Sequence, residues 1–315
     1  MFPTGLEILA IPAFIGGVIL LYLGSEILVD GTAKTAAQIG VTALIISVLL
    51  VGFGTSSPEF AISVGAAIQG NSDISLGNII GSCIANLLLV LGISSIIRPI
   101  KIQRCIIQRE LPIMLGATAV LLFATVFCLL DECHIFGGIL FLILFVAFVW
   151  FFIQCAKSER DVDKKYDAGK TSKNLILIFI GIIGVIIGAW LLIESSVTIA
   201  WLLGVPEFII AMSMVAIGTS LPELVVSAVA AYKGHSDIAI GNVLGSNVFN
   251  ILLILGFAAL FIPLNAIASL NHIFILLAVT IIMVPILWSG FTISRKEGIV
   301  MLVMYGVFIW YIFFF

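Results

Sequence analysis

The chain has 315 residues, 62% of them hydrophobic and 10% charged, with a formal net charge of −3 and a mean hydropathy of +1.30. A water-soluble domain carries about 25% charged residues, so this composition excludes an aqueous globular protein and assigns lipid as the solvent for most of the chain. The net charge says little by itself, because the placement of the charges matters more than their sum.

Polar breaks divide the chain into ten apolar segments, each able to cross a hydrocarbon core of ~30 Å. They are 5–29, 42–69, 73–97, 110–130, 134–156, 174–203, 206–232, 237–262, 271–290 and 296–315. No basic region precedes the first stretch, which is therefore read as a retained span rather than a signal peptide. The second and seventh run long, and should tilt, break or extend past the bilayer. Residues 157–173, KSERDVDKKYDAGKTSK, form the most hydrophilic stretch. They read as a solvated linker between an N-terminal half, 1–156, and a C-terminal half, 174–315.

The basic residues test this count. Lys34 falls in the first loop; Arg98, Lys101, Arg104 and Arg109 in the third; Lys157, Arg160, Lys164, Lys165, Lys170 and Lys173 in the fifth. Lys233 falls in the seventh, and Arg295 and Lys296 in the ninth, so all 14 Lys and Arg lie in odd-numbered loops. The positive-inside rule then places those loops, with 157–173, in the cytoplasm and both termini outside a cell membrane. Cys83, Cys105, Cys128, Cys133 and Cys155 show neither CxxC nor metal-ligand spacing and read as packing residues.

The most informative feature is an internal repeat. Residues 54–92, GTSSPEFAISVGAAIQGNSDISLGNIIGSCIANLLLVLG, match residues 218–256, GTSLPELVVSAVAAYKGHSDIAIGNVLGSNVFNILLILG, at 21 of 39 positions without a gap. The offset is a constant 164 residues, and the matches include Gly, Thr, Ser, Pro, Glu, Asp and Asn. Each copy starts in the second span of a five-span half. Five is odd, so the second half enters the membrane from the opposite face. The expected fold is an all-α integral membrane protein of ten transmembrane helices, arranged as two inverted five-helix repeats with broken helices in spans 2 and 7. In that architecture the site lies at the midplane between the repeats.

Glu59 and Glu223 occupy equivalent mid-span positions. A carboxylate at the bilayer centre costs about 2.5–3.5 kcal/mol on insertion scales, and no Lys or Arg lies in any span core to offset it. The missing partner is a mobile cation, or protons. Pro58 and Pro222 interrupt the helical ladder, so backbone carbonyls near Thr55 and Thr219 can turn into a cavity, with the hydroxyls of Ser56 and Ser220 beside them. Ca2+ takes six to eight oxygens at about 2.3–2.6 Å, and Na+ accepts the same atom types. The second part of each copy, GNxxGSxxxN, adds Ser82 with Asn86 and Ser246 with Asn250. Gly77, Gly81, Gly241 and Gly245 form small-xxx-small patterns suited to close helix packing. Ser56 with Glu59, and Ser220 with Glu223, also have the spacing of a helix-starting capping box, a blander reading weighed against ion binding. Asp73 and Asp237 read as helix-start residues.

At these residues the sequence resembles the cation/calcium antiporter superfamily, and GTSSPE and GTSLPE look like its sodium/calcium exchanger branch of prokaryotic type. The resemblance implies that Glu59 and Glu223 are shared ligands of Ca2+ and Na+, and that Thr55 and Thr219 give backbone oxygens. It places Ser56, Ser220, Ser82 and Ser246 in Na+ sites and Asn86 and Asn250 at the centre. Asn250 stands where potassium-dependent members carry an acid, which disfavours K+ co-transport. Ser57 departs from the usual aliphatic residue, which its counterpart Leu221 retains. The implied mechanism is alternating access, with the glycine-containing spans one and six as the sliding gate. Proton-coupled divalent exchange and a cation channel are the alternatives. No nucleophile–base set or phosphate loop suggests an enzyme, and neither a cofactor nor a nucleic-acid partner is expected.

Overall fold

The computed structural model describes residues 9–159, 168–205 and 218–314. Apart from one short strand pair it is helical: α1 (Ala10–Ile39), α2 (Ala43–Thr55), α3 (Ser57–Ile68), α4 (Ser72–Ile97), α5 (Ile106–Val126) and α6 (His134–Glu159) come first. They are followed by α7 (Ala168–Leu202), α8 (Leu221–Lys233), α9 (Ser236–Phe261), α10 (Leu270–Trp288) and α11 (Arg295–Phe314). Among the described residues, seven helices are long and apolar enough to cross a membrane, or eight if α2 and α3 count as one bent span. α11 has 20 residues and α8 has 13. The first part of the seventh expected span, 206–217, lies outside the described residues.

The spans sort by enclosure. Within their apolar windows α4 is 78% and α9 89% buried, whereas α1 and α6 are each 28% buried. Ile11, Ile15, Val146, Trp150, Phe179 and Ile183 are exposed on the outer helices. A continuous apolar surface of this kind suits acyl chains and not water. The protein is thus an all-α, multi-span membrane protein with α4 and α9 at its centre.

Two helices differ in length from the sequence-based expectation. α1 continues ten residues beyond 29, and α7 starts six residues before 174. The expected linker is correspondingly shortened, because residues 157–159 close α6 and 168–173 open α7. The reason is an antiparallel α1–α7 seam that outlasts the apolar stretch. Gly17, Gly24 and Gly31 are spaced by seven residues and face Leu192, Val185 and Ile178. A Cβ added at Gly24 would lie 2.7 Å from the Val185 nitrogen, and one at Gly188 would lie 2.5 Å from the Leu21 nitrogen. The backbones therefore touch, as small residues allow in lipid.

α2 and α3 meet at a 48° bend with Ser56 (φ −79°, ψ 5°) at the joint. Pro58 falls in the first turn of α3, where its missing N–H leaves no bond unmade. π-helical turns interrupt α2 at Ser47–Val51, α4 at Asn86–Val90 and α9 at Phe249–Ile254. Each widens a turn next to the polar centre, a common placement for such turns.

Loop contacts define two ends of the molecule. At one end Arg98 donates to the Tyr232 carbonyl, Gln38 accepts from Asn174, and Lys233 pairs with Glu26 and Asp30 at 3.1 and 2.8 Å. There the strands β1 (Ile100–Lys101) and β2 (Thr292–Ile293) pair antiparallel, Ile100 opposite Ile293. At the other end Asp131 accepts from the Ala266 and Ile267 amides, and Asn265 donates to Ser72. The described loops that carry Lys and Arg gather at the first end.

Candidate functional site

The site forms where the α2–α3 bend and the start of α8 meet α4 and α9. Glu59 opens α3 and Glu223 opens α8, each in the first turn, and both are fully buried. They lie within electrostatic range of each other. Among the described residues no Lys, Arg or His pairs with either. Burying two like charges without a counter-charge is costly, so the arrangement demands a charge that the protein does not supply.

The capping-box alternative fails on geometry. Neither Ser56 nor Ser220 makes a side-chain cap bond to its own helix. Instead the Ser56 hydroxyl crosses to the second copy and donates to Glu223 Oε1 at 3.1 Å. Ser246 Oγ is 3.4 Å from that same oxygen. Thr219 and Ser82 stand beside Glu59 at the equivalent positions, but neither makes a hydrogen bond to it.

A framework of amides holds these hydroxyls, and it crosses between the copies in both directions. Thr55 Oγ1 donates to Asn242 Oδ1 at 3.0 Å, and Thr219 Oγ1 donates to Asn78 Oδ1 at 3.3 Å. Asn242 Nδ2 in turn donates to Ser227 at 3.0 Å, and Asn78 Nδ2 to Ser63 at 2.9 Å. Thr55 is also 3.4 Å from Ser246, and Thr219 is 3.2 Å from Ser82. The two threonine hydroxyls thus serve as cross-repeat ties. Asn78, Asn242, Ser63 and Ser227 were not among the residues expected at the site, although each is identical at the 164-residue offset.

Of the ten expected residues, Glu59, Glu223, Thr55, Thr219, Ser56, Ser220, Ser82, Ser246, Asn86 and Asn250 are all buried. The hydrogen-bond network joins most of them, but several oxygens remain outside it. Among the described residues, Glu59 Oε1 and Oε2, Glu223 Oε2, Ser220 Oγ, Asn86 Oδ1 and Asn250 Oδ1 have no hydrogen-bond partner. Buried polar atoms are normally paired, and an unpaired one costs about 1–3 kcal/mol. Six acceptors without donors, three of them carboxylate oxygens, form a set that a hard cation satisfies. No group of three or more His, Cys, Asp or Glu gathers among the described residues, so an ion here draws on two carboxylates and neutral oxygens.

Close backbone approach builds the walls. A Cβ at Gly245 would lie 2.6 Å from the Val48 carbonyl oxygen, and one at Gly52 would lie 3.0 Å from the Ser246 nitrogen. Gly241 and Gly245 therefore admit α2 against α9, as their spacing suggests. For Gly77 and Gly81 an added Cβ meets nothing within 4 Å among the described residues.

Comparisons with known proteins agree with this geometry. The profile of the family described as sodium/calcium exchanger protein matches residues 9–154 and 173–314. The sodium/calcium exchanger MaX1 of Methanosarcina acetivorans is 33% identical over 93% of this chain and 95% of its own length. An uncharacterized membrane protein of Methanocaldococcus jannaschii, MJ0091, is 33% identical over 95% and 96%. Among solved structures, the sodium-calcium exchanger NCX_Mj soaked with 2.5 mM Na+ and 1 mM Sr2+ superposes with a TM-score of 0.85 at 32% identity, covering 96% of this chain and 98% of that one. With family profile, full-length relatives and superposition in accord, the chain belongs to the sodium/calcium exchanger family.

Proposed function

We propose that the protein is a secondary antiporter that exchanges Na+ for Ca2+ by alternating access. Both ions are its substrates and occupy overlapping oxygen sites near the bilayer midplane. One observation carries the reading: six buried oxygens, on Glu59, Glu223, Ser220, Asn86 and Asn250, have no hydrogen-bond donor among the described residues. Glu59 and Glu223 are the shared ligands. Ser56, Ser220, Ser82 and Ser246 complete Na+ sites, Thr55 and Thr219 contribute oxygens at the helix breaks, and Asn86 and Asn250 line the centre. The sodium/calcium exchangers to which the chain is similar over nearly its full length support the choice of ions.

The fold in this reading is ten spans in two inverted halves, 1–156 and 174–315, joined by 157–173 in the cytoplasm with both termini outside. The cross-repeat pairs Thr55–Asn242 and Thr219–Asn78 favour it, because each copy supplies the same donor to the other. The α1–α7 pair is the moving part, since its glycine seam gives it a smooth internal contact.

The test is Ca2+ uptake into Na+-loaded proteoliposomes at clamped pH. Uptake is expected only with an outward Na+ gradient. Uptake that ignores Na+ and follows a pH gradient would assign the paired carboxylates to protons, and ohmic current without countertransport would make the protein a channel.

A further inference from the structure

Two buried amides, one on α4 and one on α9, fix each other's direction. Asn247 donates from Nδ2 to the Cys83 carbonyl oxygen at 3.2 Å and to Met114 Sδ at 3.8 Å. A carbonyl oxygen and a thioether sulfur can only accept, so the nitrogen end of Asn247 must face them. Its oxygen end accepts from Asn86 Nδ2 at 3.0 Å. Asn86 is turned in the same way: its nitrogen is taken, and its Oδ1, buried and without a donor among the described residues, is the free end. A backbone carbonyl on α4 thus selects, through Asn247, which atom of Asn86 is left for a ligand.

The 164-residue offset maps Asn86 onto Asn250 and Cys83 onto Asn247. The backbone half of the relay is present on both sides, since the Cys83 thiol donates to the Asn247 carbonyl oxygen at 3.9 Å, the counterpart of the bond from Asn247 to the Cys83 carbonyl. The amide half is missing. A thiol is a weak donor and a weak acceptor, and Cys83 stands beside Asn250 without a hydrogen bond to it. Neither Nδ2 nor Oδ1 of Asn250 has a partner among the described residues. Asn250 can therefore present either end, and only the oxygen end suits a hard cation.

We propose that Asn247 is a positioning residue for Ca2+ binding. It holds Asn86 with the carbonyl oxygen free for the ion, whereas Cys83 leaves Asn250 to be turned by the ion itself. The two central amides, equivalent in the repeat, are therefore unequal as ligands. Partners behind the ligands of a metal site commonly set ligand orientation in this way. This role rests on the reading of Asn86 and Asn250 as part of the ion centre, and adds to that centre a residue that acts through Asn86.

The experiment is calorimetric titration of Ca2+ into the purified full-length protein in Na+-free detergent buffer, with Na+-driven uptake measured beside it. Asn247→Leu roughly conserves side-chain volume and removes both polar ends, and should weaken Ca2+ binding at least about tenfold. In an Asn86→Ala background the same change should add no further weakening, because residues that act as one unit are not additive. A merely structural residue would cost the same factor with or without Asn86. Cys83→Asn should act in the opposite direction. It gives Asn250 the partner that Asn86 has, and should tighten Ca2+ binding about twofold, the factor regained when an amide with two equal orientations is confined to one. This variant decides the matter if Asn247→Leu does not fold. Unchanged affinity in folded Asn247→Leu, equal weakening with and without Asn86, or no tightening in Cys83→Asn would overturn the positioning role. Two failures stay distinct. Na+-driven Ca2+ uptake by the parent, with any of those three results, removes the positioning role alone. The expected changes in Ca2+ binding without Na+-driven uptake uphold the positioning role and remove the exchange reading.

Discussion

Glu59 and Glu223 are the residues whose chemistry the surrounding protein leaves incomplete. Every other polar group of the framework has a named partner or a neutral charge, but these carboxylates lie within electrostatic range of each other without a cation paired to either among the described residues. Glu59→Gln or Glu223→Gln should therefore abolish Na+-driven Ca2+ uptake while leaving folded protein, as measured by transport and by size-exclusion profile; full activity in either variant would remove the central claim. The framework behind them is testable separately. Asn242→Ala leaves the Thr55 hydroxyl and Ser227 without their amide partner, each loss being worth about 1–3 kcal/mol. It should lower thermal stability in detergent and raise the Ca2+ concentration for half-maximal uptake, with Asn78→Ala doing the same through Thr219 and Ser63. The glutamates, threonines and serines were legible in the sequence because charge and helix-breaking residues at membrane depth are expensive and recur by symmetry. Asn78 and Asn242 recur too, but inside a glycine pattern whose obvious meaning is close packing. Asn247 was not legible by the same method, since its partner position holds Cys83 and a search for identity passes over a mismatch.

At the scale of elements, most span positions followed from hydropathy alone, and the departures share one cause. Lys34 reads as a loop residue, yet it sits on α1 as it runs beyond the apolar stretch, with Gly31 still against α7. Length set by a helix–helix seam is invisible to a hydropathy window, which senses only the solvent. The π-helical turns at Asn86–Val90 and Phe249–Ile254 were likewise illegible, because nothing in an Asn-Leu-Leu run dictates an extra residue per turn. The seam makes a sharp prediction. Gly188→Leu places a branched side chain where even a Cβ would fall 2.5 Å from the Leu21 nitrogen. The helices must separate, at a cost of about 1–3 kcal/mol typical of overpacking. Exchange should fall steeply, while Gly16→Ala on the partner helix α1, where an added Cβ meets nothing within 4 Å, should transport as the parent does. Equal activity of the two variants in the uptake assay would show that the seam does not govern the moving pair.

For the whole molecule, sidedness ties charge to topology. The described contacts bring the Lys- and Arg-bearing loops together at one end and Ser72, Asp131 and residues 265–267 together at the other. That separation is what alternating loops of a ten-span chain require, and a single missed or extra span would mix the two sets. Which end faces the cytoplasm depends on the cation bias, since each Lys or Arg resists translocation across the bilayer. Cys133 is exposed in the fourth loop and Lys157 is exposed at the end of α6, so two single-cysteine proteins can read both points. Cys133 as the sole thiol should react with a membrane-impermeant maleimide on intact cells. Lys157→Cys in an otherwise cysteine-free chain should react only after permeabilisation. Reversal of the two patterns would invert the orientation yet keep the alternation. Labelling of both from one side would break the alternation itself, because α6 would then fail to cross, and the inverted relation between the two halves would fall with it.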